Sequence, residues 1–166
     1  QCGKVDVSES DFENAYDTYR DSLSSYINNN LVLELYNRSS SEELCITPFV
    51  KLLGQKNNND VAIHAALKTK RVAIVGEPGS GKTTALRRLA LDLLQNSNFS
   101  RVPVYVPLAS LSNTIEKNPN SDIAKILDYE ISLYGIQGLS RLVLASGMEP
   151  VLLLDGWDEI ASDAIR

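Results

Sequence analysis

Three features of this sequence predict an α/β fold with a mostly parallel sheet between layers of helices. The first is the run RVAIVGEPGSGKTTALRRLALDLL over residues 71–94, in which a short apolar strand breaks into a glycine-rich turn and a helix opens. The second and third are VPVYVPL from Val102 and VLLLD ending at Asp155, two further apolar runs spaced from the first by helical patterns. Unbroken aliphatic runs suit parallel strands covered on both faces, and strand, helix and strand in alternation make βαβ units.

In chain order, Ser10 and Glu13 form a capping box, after which Phe12, Tyr16, Tyr19, Leu23, Tyr26 and Ile27 recur at three- and four-residue spacing. This predicts an amphipathic helix with a tyrosine-rich face that packs into a core, ending at Asn28 to Asn30. LVLELY follows, then a polar loop from Asn37 to Ser41. In EELCITPFVKLL, Pro48 argues against a helix interior or a central strand and leaves an extended edge or linker. Asn57 to Asn59 reads as a turn and VAIHAAL as a short helix. His64 stands without partner Cys, His or carboxylates, so it reads as structural.

Val72, Ala73, Ile74 and Val75 are the strand before the glycine-rich turn. The helix after it repeats Ala85/Leu86, Leu89/Ala90 and Leu93/Leu94. A polar break at Asn96 to Ser100 precedes the strand VPVYVPL, and Asn118 to Ser121 is the next loop. Ile123, Ile126, Leu127, Ile131 and Leu133 mark a helix stopped by Gly135; GLSRLVLASG is a second, shorter one. Val151 to Leu154 is then a buried strand. Two units result, a helix with its linker over 1–41 and an α/β unit over 42–166.

Composition narrows the function. The 166 residues carry a net charge of −5, and basic residues are scattered apart from Lys68, Lys70 and Arg71 and the pair Arg87/Arg88, so no nucleic-acid partner is evident. No apolar run approaches the length of a membrane span. Cys2 and Cys45 form no C-x-x-C pair and read as ordinary thiols, which suits a cytoplasmic protein. With Gln1 at the start, its only methionine at Met148 and Arg166 at the end, the chain reads as a piece of a longer one.

Gly76, Gly81, Lys82 and Thr83 complete G-x-x-x-x-G-K-[ST], the P-loop or Walker A motif, so the predicted architecture is the three-layer fold of P-loop NTPases. Gly76, Gly79 and Gly81 lack a Cβ and are expected at positive φ, turning successive amides into one concavity for phosphate oxygens. Glu77, Pro78, Ser80 and Thr84 complete the loop. Lys82 places an ammonium against the β- and γ-phosphates of ATP, or the β-phosphate of ADP, and Thr83 opens the helix with a hydroxyl placed to ligate Mg²⁺. The plain alternative is a glycine-rich turn in an unrelated α/β unit. A P-loop also needs a carboxylate at the end of a neighbouring buried strand to hold the Mg²⁺, and Asp155 supplies it. Beyond it, Asp158 and Glu159 are candidates to orient or deprotonate an attacking water, or else merely cap a helix N-terminus, worth about a kcal/mol or less.

GEPGSGKTT together with LLLDGWDE resembles the NACHT family of signal-transduction NTPases, which includes animal NOD-like receptors and many bacterial defence proteins. SEELCITPFVKL is similar to the family's segment before the P-loop, and VPVYVPL to its second strand, so the likeness runs from about Tyr26 onward. The resemblance implies a slowly hydrolysing, ATP-dependent switch that forms homo-oligomers when ATP is bound, with effector and sensor domains outside this chain. It implies that Gly76 to Thr84 cradle phosphates, that Thr83 and Asp155 hold Mg²⁺, that Asp158 or Glu159 serves hydrolysis, and that Ile46 to Pro48 touch adenine. It also implies a sheet truncated after the Walker B strand, because the family places a later strand between that strand and the P-loop strand. Two rival readings remain. An AAA-type or motor ATPase usually carries its glutamate directly after the Walker B aspartate, where Gly156 and Trp157 intervene here. A small-molecule kinase would need an acceptor pocket and lid arginines that the sequence does not display.

Overall fold

Aliphatic and proline residues at the two ends of the second half pair into the sheet that organises the molecule. The computed structural model describes residues 9–36, 49–50, 61–62, 67–68, 71–95, 100–117 and 119–156. Its elements are α1 (Glu9–Tyr36), β1 (Phe49–Val50), β2 (Val61–Ala62), α2 (Lys82–Gln95), β3 (Arg101–Pro107), α3 (Leu108–Lys117), α4 (Ile123–Ser132), α5 (Leu139–Ser146) and β4 (Glu149–Asp155). β3 and β4 pair in parallel with Val102 opposite Pro150, Tyr105 opposite Leu153 and Pro107 opposite Asp155. Because side chains alternate along a strand, this register sets Tyr105, Leu153 and Asp155 on one face.

Pro103 sits inside β3 without breaking it. Its missing N–H costs nothing at the sheet's outer edge, and its carbonyl there accepts a hydrogen bond from the Tyr19 hydroxyl at 2.7 Å. α1 therefore reaches that edge through Tyr19, while it packs chiefly against α5 and α2. Tyr19, Leu23 and Ile27, at four-residue spacing, are wholly buried, and Tyr134 meets the rings of Tyr19 and Tyr26 edge-on at 6.0 and 5.6 Å. The tyrosine-rich face is core, as its spacing predicts.

α1 also runs on through Asn28 to Asn30, where a stop was expected. Asparagine disfavours a helix only mildly, and no glycine or proline interrupts the stretch; the Asn30 amide instead donates back to the Tyr26 carbonyl at 2.7 Å. A second difference lies at Val61–Ala62, expected as the start of a short helix. These residues pair with Phe49–Val50 as an antiparallel strand, which supports the extended reading of the segment after Pro48.

α2 follows its sequence pattern, burying Ala85, Leu89, Ala90, Leu93 and Leu94 against the sheet. Residues 72–75 depart from theirs. No described strand lies beside them, so they run without a ladder and Val75 is 77% exposed. A parallel strand exists only where a neighbour at about 4.8 Å takes its N–H and C=O groups. β4 also departs from the expectation of a strand buried on both faces. Leu153 and Asp155 are buried, while Leu152 and Leu154 on the opposite face are exposed.

α3 has no counterpart in the sequence reading, although Leu108, Leu111 and Ser112 form its buried stripe. It is tied to α4 by buried Glu130, which accepts hydrogen bonds from the hydroxyls of Ser110 and Thr114, both at 3.0 Å. Asp122 caps α4 by accepting from the Ala124 amide, and Ile126 and Ile131 face the core, whereas Ile123 and Leu133 are exposed. Gly147, in the left-handed conformation, ends α5 with its N–H on the Val143 carbonyl.

Candidate functional site

The glycine-rich loop is shaped by two different demands on glycine. Gly79 and Gly81 have φ of 78° and 85°, which any side chain would strain. Gly76, expected to share that conformation, does not. Its lack of a side chain serves close approach instead, since a Cβ there would lie 2.6 Å from the Ser80 hydroxyl. The Ser80 amide donates to the Glu77 carbonyl at 3.1 Å, closing a turn over Pro78 and Gly79. Lys82, the first residue of α2, folds back so that Nζ donates to the carbonyls of Gly76 (3.1 Å) and Glu77 (3.2 Å). Its ammonium thus spans the mouth of the loop.

One residue on, Thr83 meets the end of β4. Its hydroxyl donates to Oδ1 of Asp155 at 2.8 Å, bringing together two residues 72 positions apart that were paired from sequence as a metal site. Asp155 is only 8% exposed. Its other oxygen, Oδ2, accepts from the Tyr105 hydroxyl, and Tyr105 in turn accepts from Nε of Arg87 at 3.2 Å. Burial first, and the hydrogen bond to Asp155 second, push the Tyr105 phenol far above its ordinary pKa, so it remains a proton donor.

Tyr105 and Arg87 escaped the sequence reading. Faint signals existed. Tyr105 is the one side chain in VPVYVPL with a polar tip, and Arg87 lies four residues after Thr83, on the same helix face.

Asp158 and Glu159 lie outside the described residues, as do Trp157, His64, Cys2, Cys45 and the segment from Ile46 to Pro48. Among the described residues no group of three or more His, Cys, Asp or Glu side chains could cage a metal. What remains is one hydroxyl and one carboxylate beside the glycine-rich loop. Hard oxygen donors, few from protein and the rest left to phosphate and water, suit Mg²⁺. A separate cleft of about 300 Å³ is lined by residues including Tyr26, Pro107, Glu130 and Tyr134, none of them in the loop. No helix among the described residues is long and apolar enough to cross a membrane.

A family model described as NACHT domain matches residues 70–165. No curated protein and no solved structure matches the chain.

Proposed function

The chain belongs to the NACHT domain family, and on that footing we propose that it is the nucleotide-binding element of an ATP-driven signalling switch. The observation that carries this reading is the 2.8 Å contact between Thr83 and Asp155 at the foot of the glycine-rich loop. In a P-loop NTPase those two side chains hold the cation that accompanies the β- and γ-phosphates.

In this reading the loop from Gly76 through Glu77, Pro78, Gly79, Ser80 and Gly81 to Thr84 at the start of α2 wraps the phosphates, with backbone N–H groups from its non-proline residues and Pro78, which has none, shaping the turn. Lys82 exchanges its two carbonyl partners for phosphate oxygens. Thr83 and Asp155 would hold Mg²⁺, which would supply positive charge to offset that on the β- and γ-phosphate oxygens. Glu159, with Asp158 beside it, orients the attacking water and takes its proton. Turnover is slow, so bound ATP lasts long enough to define a state. That state assembles copies of the protein in the cytoplasm, and effector and sensor domains outside this chain turn assembly into immune or antiviral signalling.

Two substitutions separate binding from chemistry. Asp155→Asn is expected to lose about tenfold or more of the affinity that Mg²⁺ adds to ATP binding, measured by calorimetry with and without a chelator. Glu159→Gln should bind Mg–ATP like the parent but hydrolyse it about 10²–10⁴ times more slowly in a phosphate-release assay. Parent-like Mg²⁺ dependence in Asp155→Asn would overturn the reading. Parent-like turnover in Glu159→Gln alongside a stalled Asp158→Asn would exchange the roles of the two acids.

A further inference from the structure

The Asp155 carboxylate is held at both of its oxygens, by hydroxyls from two different elements. We propose that Tyr105 is a positioning residue for the metal carboxylate: its hydroxyl, oriented by Arg87, grips Oδ2 of Asp155 and so keeps Oδ1 turned toward Thr83 and the divalent cation. The inference rests on the nucleotide and Mg²⁺ reading given above.

The terminal torsion of an aspartate is broad and two-fold, so an untethered carboxylate exchanges its two oxygens freely. Here each oxygen has its own partner, Thr83 on Oδ1 and Tyr105 on Oδ2. Both are neutral hydroxyls. The negative charge is therefore left for a cation to use, while the geometry is already fixed.

Tyr105 is well placed to do the fixing. It is 1% exposed, sits in the middle of β3 and lies with its ring 6.2 Å from that of Tyr26, so it cannot swing away. A phenol has a single proton. Arg87 Nε–H fills the acceptor side of the hydroxyl, and because a guanidinium accepts nothing, that proton is directed to Asp155. Arg87 lies one turn beyond Thr83 on α2, so the helix that supplies the metal-facing hydroxyl also orients the residue that holds the carboxylate.

The test is a Mg²⁺ titration of ATP binding on the native protein and on Tyr105→Phe, read by calorimetry, with a chelator-treated sample for the metal-free affinity. Partners of a metal ligand typically contribute 10–100-fold to metal affinity. Tyr105→Phe should therefore need about tenfold more Mg²⁺ for half its effect, with the chelated affinity unchanged within about twofold. Mn²⁺, a tighter binder of the same oxygen donors, should recover most of the loss. Arg87→Lys, which keeps the charge but not the fixed planar donor, should shift the Mg²⁺ requirement in the same direction by a smaller factor; it also serves if the phenylalanine variant does not fold. An unchanged Mg²⁺ requirement in both variants overturns the proposal. So does an equal loss of affinity with and without metal, which marks a merely structural role. A native protein indifferent to Mg²⁺ would instead overturn the nucleotide and metal reading itself.

Discussion

Lys82→Ala is expected to weaken Mg–ATP binding by tenfold or more, about 1.4 kcal/mol upward. The lysine does two things at once. Its Nζ bridges the carbonyls of Gly76 and Glu77, bracing the loop whose turn is otherwise closed by the single bond from Ser80 to Glu77. In the proposed reading the same ammonium faces the β- and γ-phosphates, and a charge-assisted bond to phosphate is roughly twice as strong as a neutral one. Alanine removes brace and charge together. Lys82→Met keeps the aliphatic stem and isolates the loss of charge, so the two variants should bind about equally poorly if phosphate contact dominates. Calorimetry on both, in Mg²⁺ and in chelator, decides the matter. A dissociation constant unchanged in Lys82→Ala would sink the assignment of this loop to phosphate binding.

How much of this could be read from residue order depends on whether the deciding interactions are local. α2 and β3 are legible because periodicity and composition are properties of a single segment. The approach of Thr83 to Asp155 is legible for a different reason, since a helix N-terminus after a glycine-rich turn and an acid at a strand end each carry a backbone requirement visible in place. Residues 72–75 show the limit. Their composition says strand, but a strand is made by its neighbour, and among the described residues none lies beside them. Asn28 to Asn30 fail in the opposite direction, because asparagine disfavours a helix only mildly and α1 runs through them to Tyr36 without a glycine or proline to stop it. The Arg87, Tyr105 and Asp155 chain joins three separate elements, and only the β3/β4 register places Tyr105 on the face of Asp155. A one-residue slip would have turned it to the other side.

Tyr19→Ala is expected to cost about 3–5 kcal/mol of stability, the range for removing a large buried aromatic side chain. Against a typical total of about 5–15 kcal/mol, that is enough to leave much of the protein unfolded near body temperature. The size follows from what one side chain joins. Its ring is wholly buried and meets Tyr134 edge-on at 6.0 Å, which ties α1 to the turn after α4. Its hydroxyl reaches the Pro103 carbonyl, the one backbone contact holding α1 to the edge of β3 that a side chain supplies among the described residues. Alanine opens a cavity and also strands a buried carbonyl, a loss of about 1–3 kcal/mol on its own. Tyr19→Phe separates the two contributions, keeping the ring and losing only the hydrogen bond, so it should cost about 1–3 kcal/mol. Urea melts of the three proteins are the measurement, with the midpoint falling in the order parent, phenylalanine, alanine. If alanine shifts the midpoint no further than phenylalanine, the ring contributes nothing beyond its hydroxyl, and α1 does not pack against the sheet in solution by the face described here.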